Sequence, residues 1–139
     1  MVEHIVLFKL KAEVTAEEKQ RAKDEIYALY SSIPGITRIT YGEDHILTRG
    51  KGFTHALITR HTSKETAVAY QAHPEHIRVR DHILIPLIER DNSGAPIVLS
   101  VDFLAHVIES WRLKELIFGA LAGSAISFLF LFRNRYLLR

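Results

Sequence analysis

Residues 4–10 (HIVLFKL) are greasy on both sides of an extended chain: His4, Val6, Phe8 and Leu10 share one face, Ile5 and Leu7 the other. A strand patterned this way has to be covered on both sides. Around it, the 139 residues read as alternating strands and helices. Thr15-Ala16-Glu17-Glu18 is a capping box opening a helix that runs to about Ser32, with Ala22, Ile26, Leu29 and Ile33 as its inner stripe. Pro34-Gly35 stops it. A second strand is expected over 36–43, a polar hairpin through Arg49-Gly50-Lys51-Gly52, and a third strand over 53–60. Ser63 caps a second helix, which Pro74 interrupts after His73, and further helix covers roughly 75–88. Asp91-Asn92-Ser93-Gly94 is a turn, and the last strand is expected over 96–103. The order β-α-β-β-α-β is an α+β, ferredoxin-like arrangement. Two helices cover only one face of a four-stranded sheet. A second copy of the chain is the simplest cover for the other, and such a pair would enclose a cavity.

A change in character follows Asp102. Residues 116–132 form an uncharged run, with Ser124 and Ser127 the only polar side chains. As a helix it spans roughly 25 Å, the short end of what crosses a bilayer. Arg112 and Lys114 precede it, and Arg133, Arg135 and Arg139 follow. It reads as a membrane anchor, with a buried core helix as the alternative; a core helix normally keeps one polar face, which this run lacks. Gly119, Gly123 and Ser127 add a weak small-xxx-small match. The expected division is therefore a domain over 1–103 and a helical tail over 104–139, giving a cytoplasmic domain attached to a membrane, or else a soluble cytoplasmic protein. The opening MVEHIVLFKLK has neither a basic stretch before its apolar run nor a small-residue cleavage site, which is not the pattern of a secretory leader.

Residues 105–139 carry five basic and two acidic side chains, which leaves the body near neutral. Such a body argues against a nucleic-acid binder. The absence of cysteine excludes disulfides, thiolate metal sites and a cysteine nucleophile. Neither a phosphate-cradling glycine loop nor G-x-S-x-G occurs.

Chemistry falls to the eight histidines and the tyrosines. His73 and His76 bracket a proline in Tyr70-Gln71-Ala72-His73-Pro74-Glu75-His76; His4 lies on the first strand and His55 on the third. If those faces line the interior, several imidazoles and one phenol converge on an apolar cavity. Imidazole takes and returns a proton near neutrality, and a phenol can hold a developing oxyanion. The plainer alternative is structural: histidines three apart on a helix are commonly exposed, and His73 can bond a backbone group freed at the proline. His73, Glu75 and His76 could supply metal ligands, yet the four-residue spacing of two-histidine zinc helices is absent, and no metal site is expected. His45, His61, His82 and His106 are placed in loops or on outer faces and receive no role.

The opening HIVLFKLK, Ile33-Pro34-Gly35, Gly52-Phe53-Thr54-His55, the Tyr70-x-x-His73-Pro74-x-His76 stretch and a final Val101-Asp102-Phe103 together resemble the stress-responsive A/B barrel (Dabb) family, over about three quarters of the chain. The resemblance implies a homodimeric α+β barrel with a cavity in each subunit between helices and sheet, rather than on the dimer side. It also implies kinship with a plant polyketide cyclase of that family, which closes a linear tetraketide by aldol condensation without a cofactor. Its histidine base matches His76 and its tyrosine Tyr70; pocket histidines match His4 and His55, and apolar wall positions match Val6, Phe8 and Leu57. Ala22, Lys23 and Ile26, where that enzyme is aromatic, and Gln71, where its wall is apolar, imply a differently shaped and more polar pocket. The apolar tail is outside the family pattern. Two functions stay open: a cofactor-independent cyclase or lyase acting on a β-keto or polyketide-like substrate, and a non-catalytic, stress-induced dimeric module binding a small apolar ligand.

Overall fold

A computed structural model describes residues 1–46 and 48–106. Its strands are β1 (Val2–Phe8), β2 (Ile36–Glu43), β3 (His55–His61) and β4 (Val98–Leu104), and its helices α1 (Ala16–Ser32), α2 (Lys64–Ala72) and α3 (Pro74–Arg78). All strand pairs are antiparallel, in the order β2-β3-β1-β4. The expected β-α-β-β-α-β order and ferredoxin-like fold are both present. Residues Met1–Ala105 form one compact unit.

Local chemistry explains the element ends. Thr15 accepts from the Glu18 amide while Glu18 accepts from the Thr15 amide, closing the expected capping box. Ala22, Ile26, Leu29 and Ile33 are all buried, so truncating Ile26 to alanine costs roughly 2–5 kcal/mol. Gly35 has φ +91°, and a Cβ there would lie 2.6 Å from the Thr66 Cβ; only glycine lets this turn approach α2. β1 ends earlier than expected, because Lys9 and Leu10 leave β3 and Leu10 pairs instead with Ile88. β3 starts later: Phe53 donates its amide back to Gly50 in the hairpin turn and joins no ladder. It also runs one residue further, to His61 opposite Val2. β4 is shifted to Val98–Leu104, because Pro96 bridges to Arg90 and the Ile97 amide donates to Glu89 instead of joining β1. The helix expected over 75–88 is composite: α3 passes into a π-helical turn, Val79–Leu84, and then a 3₁₀ turn, Ile85–Leu87.

The helices lie on one face of the sheet. β3 alternates with His55, Leu57, Thr59 and His61 buried beneath them. Register places Ile5 beside Ile58 and Val101, and Leu7 beside Ala56 and Leu99, on the opposite face. Leu99, Val101 and Phe103 are exposed there. Glu3 and Arg60, paired across β1 and β3, border this apolar surface. So, among the described residues, β1 is covered on one side only. No helix among the described residues is long and apolar enough to cross a membrane; the apolar helix and anchor expected over 116–132 lie outside the described residues.

Candidate active site

Between the sheet and the helices lies a cavity of about 350 Å³. β1 supplies His4, Val6 and Phe8 to its wall, β3 supplies Leu57, α1 supplies Ile26 and Leu29, α2 supplies Tyr70 and Gln71, and α3 supplies His76. The proline break sets the direction of the key imidazole. His73 caps α3 by accepting the Glu75 amide through Nδ1 at 3.2 Å. An unbroken helix would have sent that amide to the Gln71 carbonyl. The carbonyl instead receives the His76 Nδ1, also at 3.2 Å. A ring that donates from Nδ1 keeps its lone pair on Nε2.

Tyr70 is 1% exposed, and its ring centroid lies 4.2 Å from that of His76, 4.8 Å from His61 and 6.0 Å from His4. His4 Nδ1 is 2.9 Å from an Asp102 carboxylate oxygen on the neighbouring strand, and Gln71 Nε2 lies 3.5 Å from the same ring nitrogen. Burial lowers the His76 pKa below its ordinary 6.5, with Arg80 and His4 adding to the effect and Asp81 and the bond to Gln71 opposing it. The ring is therefore a neutral base at pH 7. Burial pushes the Tyr70 phenol up to about 12, so it stays protonated. An uncharged base and an uncharged acid thus stand side by side in an apolar chamber, a pairing able to remove a proton from an acidic carbon and hydrogen-bond the oxyanion that results.

Four residues expected near the site stand apart from the cavity wall. Lys23 is exposed and faces a groove with Lys19 and Tyr41. Ala22 is buried in the inner stripe of α1 without reaching the wall. His73 is occupied as a helix cap. His55 is buried but sits opposite Phe8, two residues (about 7 Å) along β3 from Leu57. There it stacks on Phe8 at 5.6 Å and contacts Thr54 at 2.8 Å and Glu43 at 3.2 Å. Among the described residues, no three His, Asp or Glu side chains gather as metal ligands.

Sequence reasoning passed over other residues. Arg80 lines the cavity from the π-helical turn, and Val98 and Ser100 line it from β4. Asp102 joins His4 from 98 residues away. His61, expected in a loop or on an outer face, is fully buried against Tyr70; its β-branched and apolar neighbours in 55–61 are the signal that the strand continues to it.

Residues 2–104 match the stress-responsive A/B barrel domain (Dabb) family. Among characterised sequences, the chain is 30% identical over 108 residues to a stress-response A/B barrel domain-containing protein of Arabidopsis thaliana, covering 78% of this chain and 38% of that one. A second Arabidopsis thaliana protein of the same description is covered to 48%, so the chain spans less than half the length of these relatives. Olivetolic acid cyclase of Cannabis sativa is 29% identical over 82 residues, covering 58% of this chain and 80% of the cyclase. Among solved structures, an Arabidopsis thaliana protein superposes with a TM-score of 0.64 at 24% identity, covering 78% and 99% of the two chains. A dimeric ferredoxin-like protein from Bacteroides fragilis gives 0.56 at 30%, covering 75% and 95%. The hydroxynitrile lyase of Passiflora edulis gives 0.63 at 15%, covering 78% and 95%, a likeness of fold. With three quarters of its length inside the family's domain, the chain belongs to the stress-responsive A/B barrel family.

Proposed function

We propose that this chain is a cofactor-independent cyclase or lyase acting on a small β-keto or polyketide-like substrate held in the cavity beneath its helices. The observation that carries the reading is the His76 ring, left with its lone pair on Nε2 because Nδ1 donates to Gln71, packed 4.2 Å from the Tyr70 ring. His76 removes a proton from the carbon between two carbonyls, and Tyr70 donates a hydrogen bond to the enolate or alkoxide oxygen. His76, now carrying that proton, returns it to the product, and His4, held by Asp102, lines the same wall. The similarity to olivetolic acid cyclase supports this assignment of roles. A base of this kind contributes roughly 10²–10⁴-fold, enough for an activated dicarbonyl.

The test incubates wild type, His76→Ala and Tyr70→Phe with β-polyketide acids and thioesters. Product from wild type, reduced at least about a hundredfold in both variants, supports the enzyme. Product profiles identical to the blank for all three leave the second reading, a module binding a small apolar ligand; the apolar walls from Val6, Leu29 and Leu57 favour that one.

The chain works as a homodimer in this proposal, with the apolar sheet faces of two copies packed back to back into a barrel. The dimeric ferredoxin-like relatives support that arrangement. The apolar run 116–132 then anchors the domain to a membrane; full-length protein should partition with membranes, and a chain ending at Ala105 should not. Equal partitioning removes the anchor.

A further inference from the structure

Two buried polar side chains beside Tyr70 take no part in the chemistry proposed above. Thr59 and His61 stand two residues apart on β3, both beneath the helices and both fully buried, and neither belongs to the cavity wall. The His61 Nε2 lies 2.9 Å from Thr59 Oγ1. The His61 ring packs against Tyr70 at 50°. Its other nitrogen, Nδ1, is buried with no hydrogen-bond partner among the described residues. The Thr59 hydroxyl is in turn the side-chain hydrogen-bond partner that acts on the Tyr70 phenol, opposing the rise that burial causes.

A line of three such groups runs in one of two directions. In the first, Tyr70 donates to Thr59 and Thr59 to the His61 Nε2. The phenol hydrogen then points away from the cavity, and a neutral His61 carries its own hydrogen on Nδ1, where nothing accepts it. In the second, the His61 Nε2–H donates to Thr59 and Thr59 to the phenol oxygen. The phenol hydrogen is then left over for the cavity, and Nδ1 is only a bare lone pair. Buried N–H groups without an acceptor are much rarer than buried acceptors without a donor, which selects the second direction. Burial, with His4 nearby, also holds the His61 pKa below 6.5 and the ring neutral, although Asp102 and Glu3 pull the other way.

We infer that His61 is a positioning residue: held as the Nε2–H tautomer, it acts through Thr59 to aim the Tyr70 hydroxyl hydrogen into the cavity. This rests on the reading of Tyr70 as an oxyanion donor, but its geometry is testable without turnover.

The experiment uses the full chain labelled with ¹⁵N-histidine and with ¹³Cζ-tyrosine, near pH 7.5. Long-range ¹H–¹⁵N spectra, with His61 assigned by its loss in His61→Gln, should show a neutral ring protonated on Nε2. A ring protonated on Nδ1, or an imidazolium, overturns the inference. The Tyr70 ζ-carbon signal, assigned with Tyr70→Phe, should move in His61→Leu and in Thr59→Val. It should return to its wild-type position in His61→Gln, whose amide can donate where Nε2–H did. An unmoved signal in the leucine and valine variants, or a glutamine variant displaced as far as the leucine one, overturns it too; if the leucine variant fails to fold, the valine variant decides. On any substrate turned over, His61→Leu should lower kcat at least about tenfold with KM unchanged, and His61→Gln should restore it. The expected spectra without turnover by wild type count against the catalytic reading alone.

Discussion

His76 donates from Nδ1 to the carbonyl of Gln71, five residues behind it across the proline break, and so presents Nε2 as its only basic nitrogen. The polarity follows from Pro74: the helix cannot run through, a backbone carbonyl is left over, and the imidazole takes it.

Activity should therefore follow the protonation of one histidine. kcat/KM is expected to rise with pH through an acid limb below 6.5, where His76 loses its proton, and then stay flat. Tyr70 adds a falling limb only toward about 12. Arg80 is one of the groups holding His76 down, so Arg80→Gln should shift the acid limb upward. A pH–rate profile of the two proteins checks both; a limb that moves downward in the variant contradicts the placement of that charge.

Stability should share the same sign. His55, His61 and His76 all have pKa values lowered by burial relative to about 6.5 in the unfolded chain. Above that pH the three are neutral in both states, and their contribution is fully present. As pH falls below it, the unfolded chain takes up protons that the native protein refuses, and stability drops until the lowered native values are passed. Each histidine contributes at most about 1.4 kcal/mol per pH unit within that window. Urea denaturation between pH 7.5 and 5 should show a falling midpoint, with a shallower fall in His61→Gln.

Gly35→Ala should be destabilising by about 2 kcal/mol or more, because a positive φ and a 2.6 Å approach to Thr66 act together. Gly52→Ala makes the control: its φ is also +91°, but nothing lies within 4 Å of the added methyl. Chemical denaturation of both should give the larger loss for Gly35→Ala. Equal losses leave backbone strain as the whole effect and remove the steric part.

What could be read from the sequence was whatever chemistry is local. The Thr15–Glu18 box, the stripe through Ile26, the bounds of β2 and the interruption at Pro74 all depend on side chains within a few residues of one another. Tyr70, His73 and His76 stand out together for the same reason, lying within one short motif, while the roles given to His76 and Tyr70 came with the family resemblance. The partners that tune them do not stand out. Asp102 meets His4 only through the β1–β4 register, which no local pattern encodes. Arg80 reaches the cavity because the chain widens into a π-helical turn, which rotates its side chains away from the 3.6-residue wheel. His61 was hidden by its place at the end of a strand, where one further ladder pair separates a buried ring from a loop. His55 failed in the opposite sense: it shares the helix-facing side with Leu57, but a step of two residues along β3 carries it past the cavity.

Pairing of two copies through the open sheet face is the most exposed of these expectations. Val101 sits across from Ile5 in the middle of that face and is 49% exposed in the single chain. Neighbouring Leu99 and Phe103 are exposed on the same strand, and a run of this kind on a folded chain is a surface that a partner covers. Val101→Lys places a charge among apolar neighbours, beside Ile5 and between Leu99 and Phe103 on its own strand. In a lone protomer the lysine reaches water, and the variant should fold with stability within roughly 0.5 kcal/mol of wild type. In a back-to-back pair each copy would bury that ammonium against apolar side chains, which costs several kcal/mol. Sedimentation should show wild type at twice the chain mass and the variant shifted to a single folded chain. A wild-type protein that sediments as one well-behaved copy removes the barrel, and with it the cover that the second face of β1 requires.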